Sequence, residues 1–153
     1  MIRKTILALG VSMLAVPAVA EIHANDVQSM MRVFQSEGYL VSQTFDSTGD
    51  PMLEGKIDGT PYRVLFYGCG DNHDACTTIQ FKAGYDLTSG MSLDRVNAWN
   101  RDKRFGKVYL DDEMDPFIEY NVNLFGGVTD TNFADTIDWW RVVMGEFEKY
   151  IGW

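Results

Sequence analysis

Apolar residues recur at helical spacing in three separate stretches of the chain. After Asn25 the spacing is i, i+3, i+4 and i+7, which places the apolar side chains on one face of a helix that Gly38 ends. A second helix is predicted after Ser92, with Asp94 near its start and basic residues near its end. A third, longer helix is predicted from about residues 129–131 to the C-terminus. The apolar positions that define these helices are Val27, Met30, Met31 and Phe34, then Leu93, Val96 and Trp99, then Phe133, Ile137, Trp140, Met144, Phe147 and Ile151.

Between these helices apolar and polar residues alternate, which is typical of half-buried strands. The sharpest signal is Asp58-Gly59, because its glycine tolerates the positive φ of a tight turn between two alternating runs. The strand that starts at Cys76 is expected to pair antiparallel with the second arm of that hairpin. Six strands are predicted, at 39–45, 52–57, 62–67, 76–85, 107–110 and 117–124.

This succession of helices and strands indicates the α+β class. We expect an antiparallel sheet with the N-terminal, middle and long C-terminal helices packed on one of its faces. The C-terminal helix has a wide apolar stripe, because Trp139, Val143 and Tyr150 extend it. Such a helix either lies deeply across the sheet or is shared with a second subunit, and burial within one chain is the better expectation.

Three short motifs in the second half of the chain resemble a known family. They are a helix that ends in Arg104-Phe105, a strand that ends in Tyr109-Leu110-Asp111, and Gly126-Gly127-Val128 before the Trp-bearing final helix. In this order they resemble the YbjN family of bacterial sensory-transduction regulators, over about residues 25–152. The YbjN fold looks like that of type III secretion chaperones. The resemblance implies the element order given above, a regulatory or protein-binding role without a known catalytic residue, and a homodimer if the likeness to chaperones extends to assembly.

The first twenty residues have the composition of a secretory signal peptide. Arg3 and Lys4 precede an apolar run from Ile6 to Val16, and small residues stand at Ala18 and Ala20. That run is too short for the roughly 20 residues of a membrane-spanning helix. We therefore expect cleavage after Ala20, a single domain over residues 21–153, no membrane span in the mature form, and a periplasmic or secreted location.

The charge of the chain is strongly acidic, with 13 Lys and Arg residues against 22 Asp and Glu residues and a net charge of -9. Loss of Arg3 and Lys4 with the leader would take two positive charges away and leave -11. Such a surface disfavours nucleic acid and anionic lipid as partners. A protein or peptide partner is the better expectation, and a cationic patch or a metal ion would be electrostatically easier than an anion.

Cys69 and Cys76 are the two cysteines, and six residues separate them between two predicted neighbouring strands. In an oxidising compartment such a pair is best interpreted as a disulfide. The alternative is a zinc site in which Cys69, His73 and Cys76 are three ligands and Asp71 or Asp74 is the fourth.

A second metal hypothesis concerns the N-terminus that cleavage would create. Glu21-Ile22-His23 would then present a free amine, two amides and the imidazole of His23. These four nitrogens suit square-planar Cu(II) or Ni(II).

The polar face of the predicted middle helix is the most distinctive surface of the segment that resembles the family. Asn97, Asn100, Arg101 and Arg104 could bind the backbone or carboxylates of a partner, since arginine offers bidentate geometry. Hydrogen bonds of these side chains to local backbone would explain the same residue types without a ligand, and we favour that structural role.

The sequence contains few residues in patterns typical of catalytic sites. The two histidines accompany no nucleophile motif, and no Gly-rich phosphate loop opens a helix. We therefore expect an exported, non-catalytic protein- or peptide-binding or regulatory module that needs no cofactor. A periplasmic metal-binding or metal-stress protein is the alternative, and an enzyme that uses paired carboxylates is a third hypothesis.

Overall fold

Eight strands and three helices are formed by residues 21–153, the part of the chain that the computed structural model describes. The predicted signal peptide, residues 1–20, lies outside this part. The strands are β1 (Glu21–Ile22), β2 (Val41–Phe45), β3 (Pro51–Ile57), β4 (Thr60–Tyr67), β5 (Thr78–Gly84), β6 (Lys107–Leu110), β7 (Pro116–Asn123) and β8 (Val128–Thr129). The helices are α1 (Val27–Ser36), α2 (Leu93–Asp102) and α3 (Asp130–Ile151).

Six strands form one antiparallel sheet in the order β2-β3-β4-β5-β7-β6, and the helices pack on it, so the predicted α+β class is confirmed. The β3–β4 hairpin turns at Asp58 and Gly59, whose φ angles are 51° and 94°. Two consecutive positive φ angles match the right-handed twist of the flanking strands. The predicted pairing of β4 with β5 is also present, with Phe66 opposite Ile79.

The core lies between the sheet and α1 and α3. Trp140 is fully buried, with its ring centroid 5.5 Å from that of Phe81 on β5. Phe34 of α1 meets Phe133 of α3 edge to face at 5.8 Å. The central part of the apolar stripe of α3 is therefore buried within one chain, as the sequence analysis favoured, whereas Trp139 at its margin is 42% exposed. Its fully buried members are Phe133, Ile137, Trp140, Met144 and Phe147.

Each helix begins at the kind of residue that the sequence suggested. Asp26, Ser92 and Thr129 are the N-caps, and each side chain accepts a hydrogen bond from the backbone N–H three residues further on. Gly152, at φ 78°, ends α3 in the left-handed conformation that glycine adopts without a Cβ penalty. The caps explain why the predicted helix starts agree closely with the structure.

Two apolar residues with the spacing of a buried face are exposed in the structure. Leu93 was expected on the buried side of the middle helix but is 70% exposed, because it is the first residue of α2 and the packed turn carries Val96 and Trp99. Phe45 lies on the same side of β2 as Val41, yet it is exposed because β2 is an edge strand with a neighbour on only one side. The period of a helix or strand identifies which side chains share one face. It does not show how far the rest of the protein covers that face.

The sequence analysis missed the small β1–β8 sheet. Ile22 pairs with Val128, and both Ile22 and Ala24 are buried in the core. A two-residue strand has no alternation that a sequence pattern could reveal. The pairing places residues 21–24 against the start of α3. None of the helices formed by residues 21–153 is long and apolar enough to cross a membrane.

Candidate functional site

The face of the six-stranded sheet opposite the core is not covered by α1, α2 or α3. Side chains alternate along each strand, so every second residue of β3, β4, β5, β7 and β6 points away from the helices. We call this side the open face. The strand register aligns five of its charged residues in one row across five strands, here called the charged row: Glu54, Arg63, Lys82, Glu119 and Lys107.

Ion pairs link most neighbours in the charged row. Arg63 Nε lies 3.1 Å from Glu54 Oε1. At the other end Glu119, only 7% exposed, is held between Lys82 Nζ at 3.7 Å and Lys107 Nζ at 3.3 Å. Between these groups Arg63 stands directly opposite Lys82 on adjacent strands. Like charges in that position repel, and the head groups of Arg63 and Lys82 lie toward their acidic partners on the outer sides, so the middle of the row contains two cations with no acidic residue between them.

An aromatic shelf flanks the charged row. The rings of Tyr109 and Phe117 stack with centroids 5.5 Å apart, and Lys82 Nζ lies 5.1 Å and 5.0 Å from them. Cation–π attraction and the ion pair with Glu119 therefore hold the ammonium of Lys82 in place. Gly84 makes the shelf possible, because a Cβ at that position would collide with the ring of Phe117.

A groove of about 840 Å³ runs along this part of the open face. That volume falls within the range typical of ligand sites, about 300–1,000 Å³. One wall includes Leu40, whose side chain is 82% exposed, and the floor includes the aromatic shelf at Phe117. The remaining side chains that matter for its chemistry are Glu54, Lys56, Pro61, Arg63 and Lys82.

The end of the open face away from the groove carries polar side chains without charge. Burial raises the pKa of Tyr67 above its ordinary value, so its hydroxyl stays protonated at neutral pH and donates to Gln80 Oε1 at 3.3 Å. Gln80 Nε2 in turn donates to Asn121 Oδ1 at 2.8 Å. These side chains form hydrogen bonds with one another and carry no charge. The cationic side chains of the open face therefore lie at the end with the groove.

The α2–β6 segment is tied together by side chains bonded to backbone. Trp99 is buried, and its Nε1 donates to the carbonyl of Gly106 at 2.6 Å. Asn100 Nδ2 donates to the carbonyl of Val108 at 3.0 Å, while Asn100 Oδ1 accepts from the N–H of Val108 at 2.8 Å. The amide of Asn100 therefore satisfies both backbone groups of Val108 in the edge strand β6.

A comparison with protein families matches residues 26–153 to YbjN, described as "putative bacterial sensory transduction regulator". The match spans the three helices and the whole six-stranded sheet. The chain belongs to the YbjN family. The family match thus confirms the resemblance noted in the motifs of α2, β6 and the Gly126-Gly127 turn. No match was found among curated proteins or solved structures, so the likeness to secretion chaperones stays a prediction.

In this YbjN-family chain the four residues proposed as a partner surface on α2 have different roles. Asn100 is committed to Val108, as the structural interpretation expected. Arg101 pairs with its neighbour Asp102 at 2.7 Å, and the guanidinium of Arg104 lies 4.9 Å from the ring centre of Phe105. Asn97 is exposed. They share one helix and its end, yet they do not line the groove.

Replacing Asn100 with alanine is expected to lower the free energy of unfolding by about 1–3 kcal/mol, because the buried N–H and C=O of Val108 would lose their partner. Chemical denaturation of the purified protein measures this loss. Asn97→Ala is the matched control, since it removes an exposed amide from the same helix and should change stability by less than about 0.5 kcal/mol. Equal effects of the two substitutions would contradict the structural role of Asn100.

Cys69 and Cys76 form the predicted disulfide, which closes the loop between β4 and β5. His73 points across to the β2–β3 turn, where its Nδ1 lies 2.8 Å from Asp50 Oδ1. Because the two sulfurs are bonded to each other, they offer no thiolate for the zinc site considered above. Within residues 21–153 no three His, Cys, Asp or Glu side chains are grouped so that they could hold a metal ion.

The copper hypothesis at Glu21-Ile22-His23 meets a competing structure. Glu21 and Ile22 are extended in β1, and His23 Nε2 lies 3.3 Å from Glu21 Oε2. The imidazole of His23 also packs where a side chain at Gly127 would be. Square-planar ligation would wrap the backbone of residues 21–23 around the ion, so it would have to unpair β1 from β8. Copper binding by the mature terminus stays a prediction.

The sequence analysis did not single out the charged row or the groove. Glu54, Arg63, Lys82 and Glu119 are the polar members of alternating strands, and each in isolation suggests only a solvated position. The signal that could have found them is the sum of charge over the outward positions of all strands. That sum requires the register, which no single strand specifies.

Proposed function

We propose that this YbjN-family protein is an exported, non-catalytic regulator that binds a segment of a partner protein on the open face of its sheet. The observation that carries the proposal is a broad antiparallel sheet with all three helices on one side and a groove of about 840 Å³ on the other. A regulator acts through contact, and this groove combines apolar and charged side chains on a concave surface.

Two features support export. Residues 1–20 have the composition of a signal peptide, and the Cys69–Cys76 disulfide is the state favoured in an oxidising compartment. N-terminal sequencing of the protein recovered from the periplasmic or secreted fraction should begin at Glu21, with both cysteines oxidised. A protein found only in the cytoplasm with its leader attached would contradict this part of the proposal.

Site-specific photo-crosslinking in the producing cells tests the binding surface. A photoreactive residue in place of Lys56, in the groove, should give a covalent adduct with a partner. The same residue in place of Arg101, on α2, or Asp135, on the outer side of α3, should not. Adducts from those two positions without one from Lys56 would overturn the assignment of the open face.

The mass of the adduct also identifies the type of partner. An adduct with twice the mass of the mature chain, residues 21–153, would indicate a homodimer formed through the open face. Any other discrete mass would indicate a different protein. Mass spectrometry of the crosslinked peptide would then identify that protein. Absence of any adduct at Lys56 would contradict the proposal as a whole.

A further inference from the structure

We infer that the segment bound on the open face is acidic, with one carboxylate held between Arg63 and Lys82 and an apolar side chain next to it on Phe117. This inference rests on the proposed function, and it adds the chemistry of the partner. It differs from the expectation that net charge gives, since an acidic protein as a whole favours cationic partners.

The open face differs from the rest of the protein in its charge. The open face carries four of the 13 basic residues of the chain but only two of its 22 acidic residues. Basic residues therefore outnumber acidic ones two to one on this face, whereas acidic residues predominate in the chain as a whole. The six residues are Lys56, Arg63, Lys82 and Lys107, with Glu54 and Glu119. A carboxylate-bearing segment would be attracted to this face and repelled by most other surfaces.

The two central cations of the charged row have no acidic residue between them. Arg63 and Lys82 are direct cross-strand neighbours, and their acidic partners stand on the outer sides, Glu54 next to Arg63 and Glu119 next to Lys82. Each head group lies toward its own acidic partner. A carboxylate placed over β4 and β5 at this level would be attracted by both cations.

The guanidinium of Arg63 can donate further hydrogen bonds. Its Nε donates to Glu54 Oε1 at 3.1 Å, and its Nη atoms donate to no group within residues 21–153. The side chain is 62% exposed, so those terminal donors face outward. Two parallel N–H groups match the two oxygens of a carboxylate, which a single ammonium cannot do.

Apolar surface lies beside the two cations. Phe117 lies across Gly84, and Pro61 lines the same groove. In an extended segment, residues i and i+2 point to the same side about 6.6–6.8 Å apart. An acidic residue at i and an apolar residue at i+2 can therefore reach the two cations and the ring together. The phosphates of a nucleic acid would be attracted to the same cations, but a nucleic acid has no aliphatic side chain for this apolar surface, so a protein segment is the better match.

The test is fluorescence anisotropy with labelled ten-residue peptides in which Glu and Val alternate at every second position and Ser fills the positions between them, so that Glu and Val share one side of the extended peptide. Matched peptides carry Gln or Lys in place of Glu. The acidic peptide should bind at least tenfold more tightly than the Gln peptide, and its affinity should fall as salt rises. The Lys peptide should bind more weakly still. A single-stranded oligonucleotide of equal charge that bound more tightly than the acidic peptide would overturn the inference.

Two variants locate the binding. Arg63→Gln and Lys82→Gln together should weaken binding of the acidic peptide at least tenfold. Arg101→Gln is the matched control, because Arg101 is also an exposed arginine paired with a carboxylate, 67% exposed on α2, and its loss should leave the affinity unchanged. Thermal unfolding checks that the double variant is folded. Its melting temperature should lie within a few degrees of that of the wild-type protein.

The outcomes separate this inference from the proposed function. Equal affinity for the Glu and Gln peptides, or unchanged binding by the double variant, overturns the acidic preference. The crosslink from Lys56 tests the open face without reference to charge, so a positive crosslink beside either of those results leaves the binding module intact. Tight binding of the acidic peptide that the double variant loses supports the inference.

Discussion

Replacing Trp140 with alanine is expected to lower the free energy of unfolding by about 3–5 kcal/mol. The indole is fully buried and lies against Phe81 and Tyr62, with ring centroids 5.5 Å and 6.1 Å away. Its Nε1 makes no hydrogen bond within residues 21–153, so the loss would measure packing rather than a polar interaction. Guanidinium or urea denaturation followed by far-UV circular dichroism provides the measurement.

The adjacent tryptophan is a matched control for this experiment. Trp139 has the same side chain one position earlier on α3, but it is 42% exposed and packs mainly on Phe105 at 5.1 Å. Its replacement with alanine should cost about 1 kcal/mol, the scale of one aromatic contact. A similar loss in the two variants would mean that α3 does not present the face described here to the sheet.

Loss of the Cys69–Cys76 disulfide is the second large expected effect, at about 2–3 kcal/mol. The bond closes a loop of eight residues, and the entropy of the unfolded chain rises when that loop is opened. Denaturant unfolding of the Cys69→Ser/Cys76→Ser double variant measures the change. The wild-type chain, treated with a reductant, should unfold at the same denaturant concentration as the double variant.

His73→Ala separates the covalent bond from the contacts of its loop. That variant keeps the disulfide and removes only the partly exposed contact with Asp50, so it should lose less than about 1 kcal/mol. The disulfide lies beyond Tyr67 and before Thr78, at the opposite end of β4 and β5 from the groove. Unchanged stability after reduction would contradict a stabilising role of the bond, whereas peptide affinity should be the same in oxidised and reduced protein.

The agreement between the predicted and observed elements is closest where the pattern is long. α3 has a helical period from Phe133 to Ile151, and the residues of that period up to Phe147 belong to the core of the protein. The β3–β4 hairpin combines two alternating runs with Asp58-Gly59, a turn that only a few residue pairs favour. In both cases the information is local, since side-chain direction follows from the backbone period within one element.

The disagreements occur where the decisive contact comes from a distant part of the chain. Leu93 has the spacing of a buried residue, yet no layer covers the start of α2. The β1–β8 pairing joins residues about a hundred positions apart through two short strands. The double hydrogen bond between Asn100 and Val108 requires that α2 lie beside the edge of β6. The residue type of Asn100 was enough to suggest a structural role, but it could not identify Val108 as the partner.

From the sequence alone it was possible to infer the α+β class, the order of the helices and strands, the family and the cysteine pair, because each depends on a period or a motif within a short stretch. The candidate site emerged only from the tertiary structure. The charged row brings together residues from five strands, and a shift of the register by one residue would turn each side chain to the other face. Charge counted along the chain gives an acidic protein, whereas charge counted across the sheet gives a face on which basic residues outnumber acidic ones.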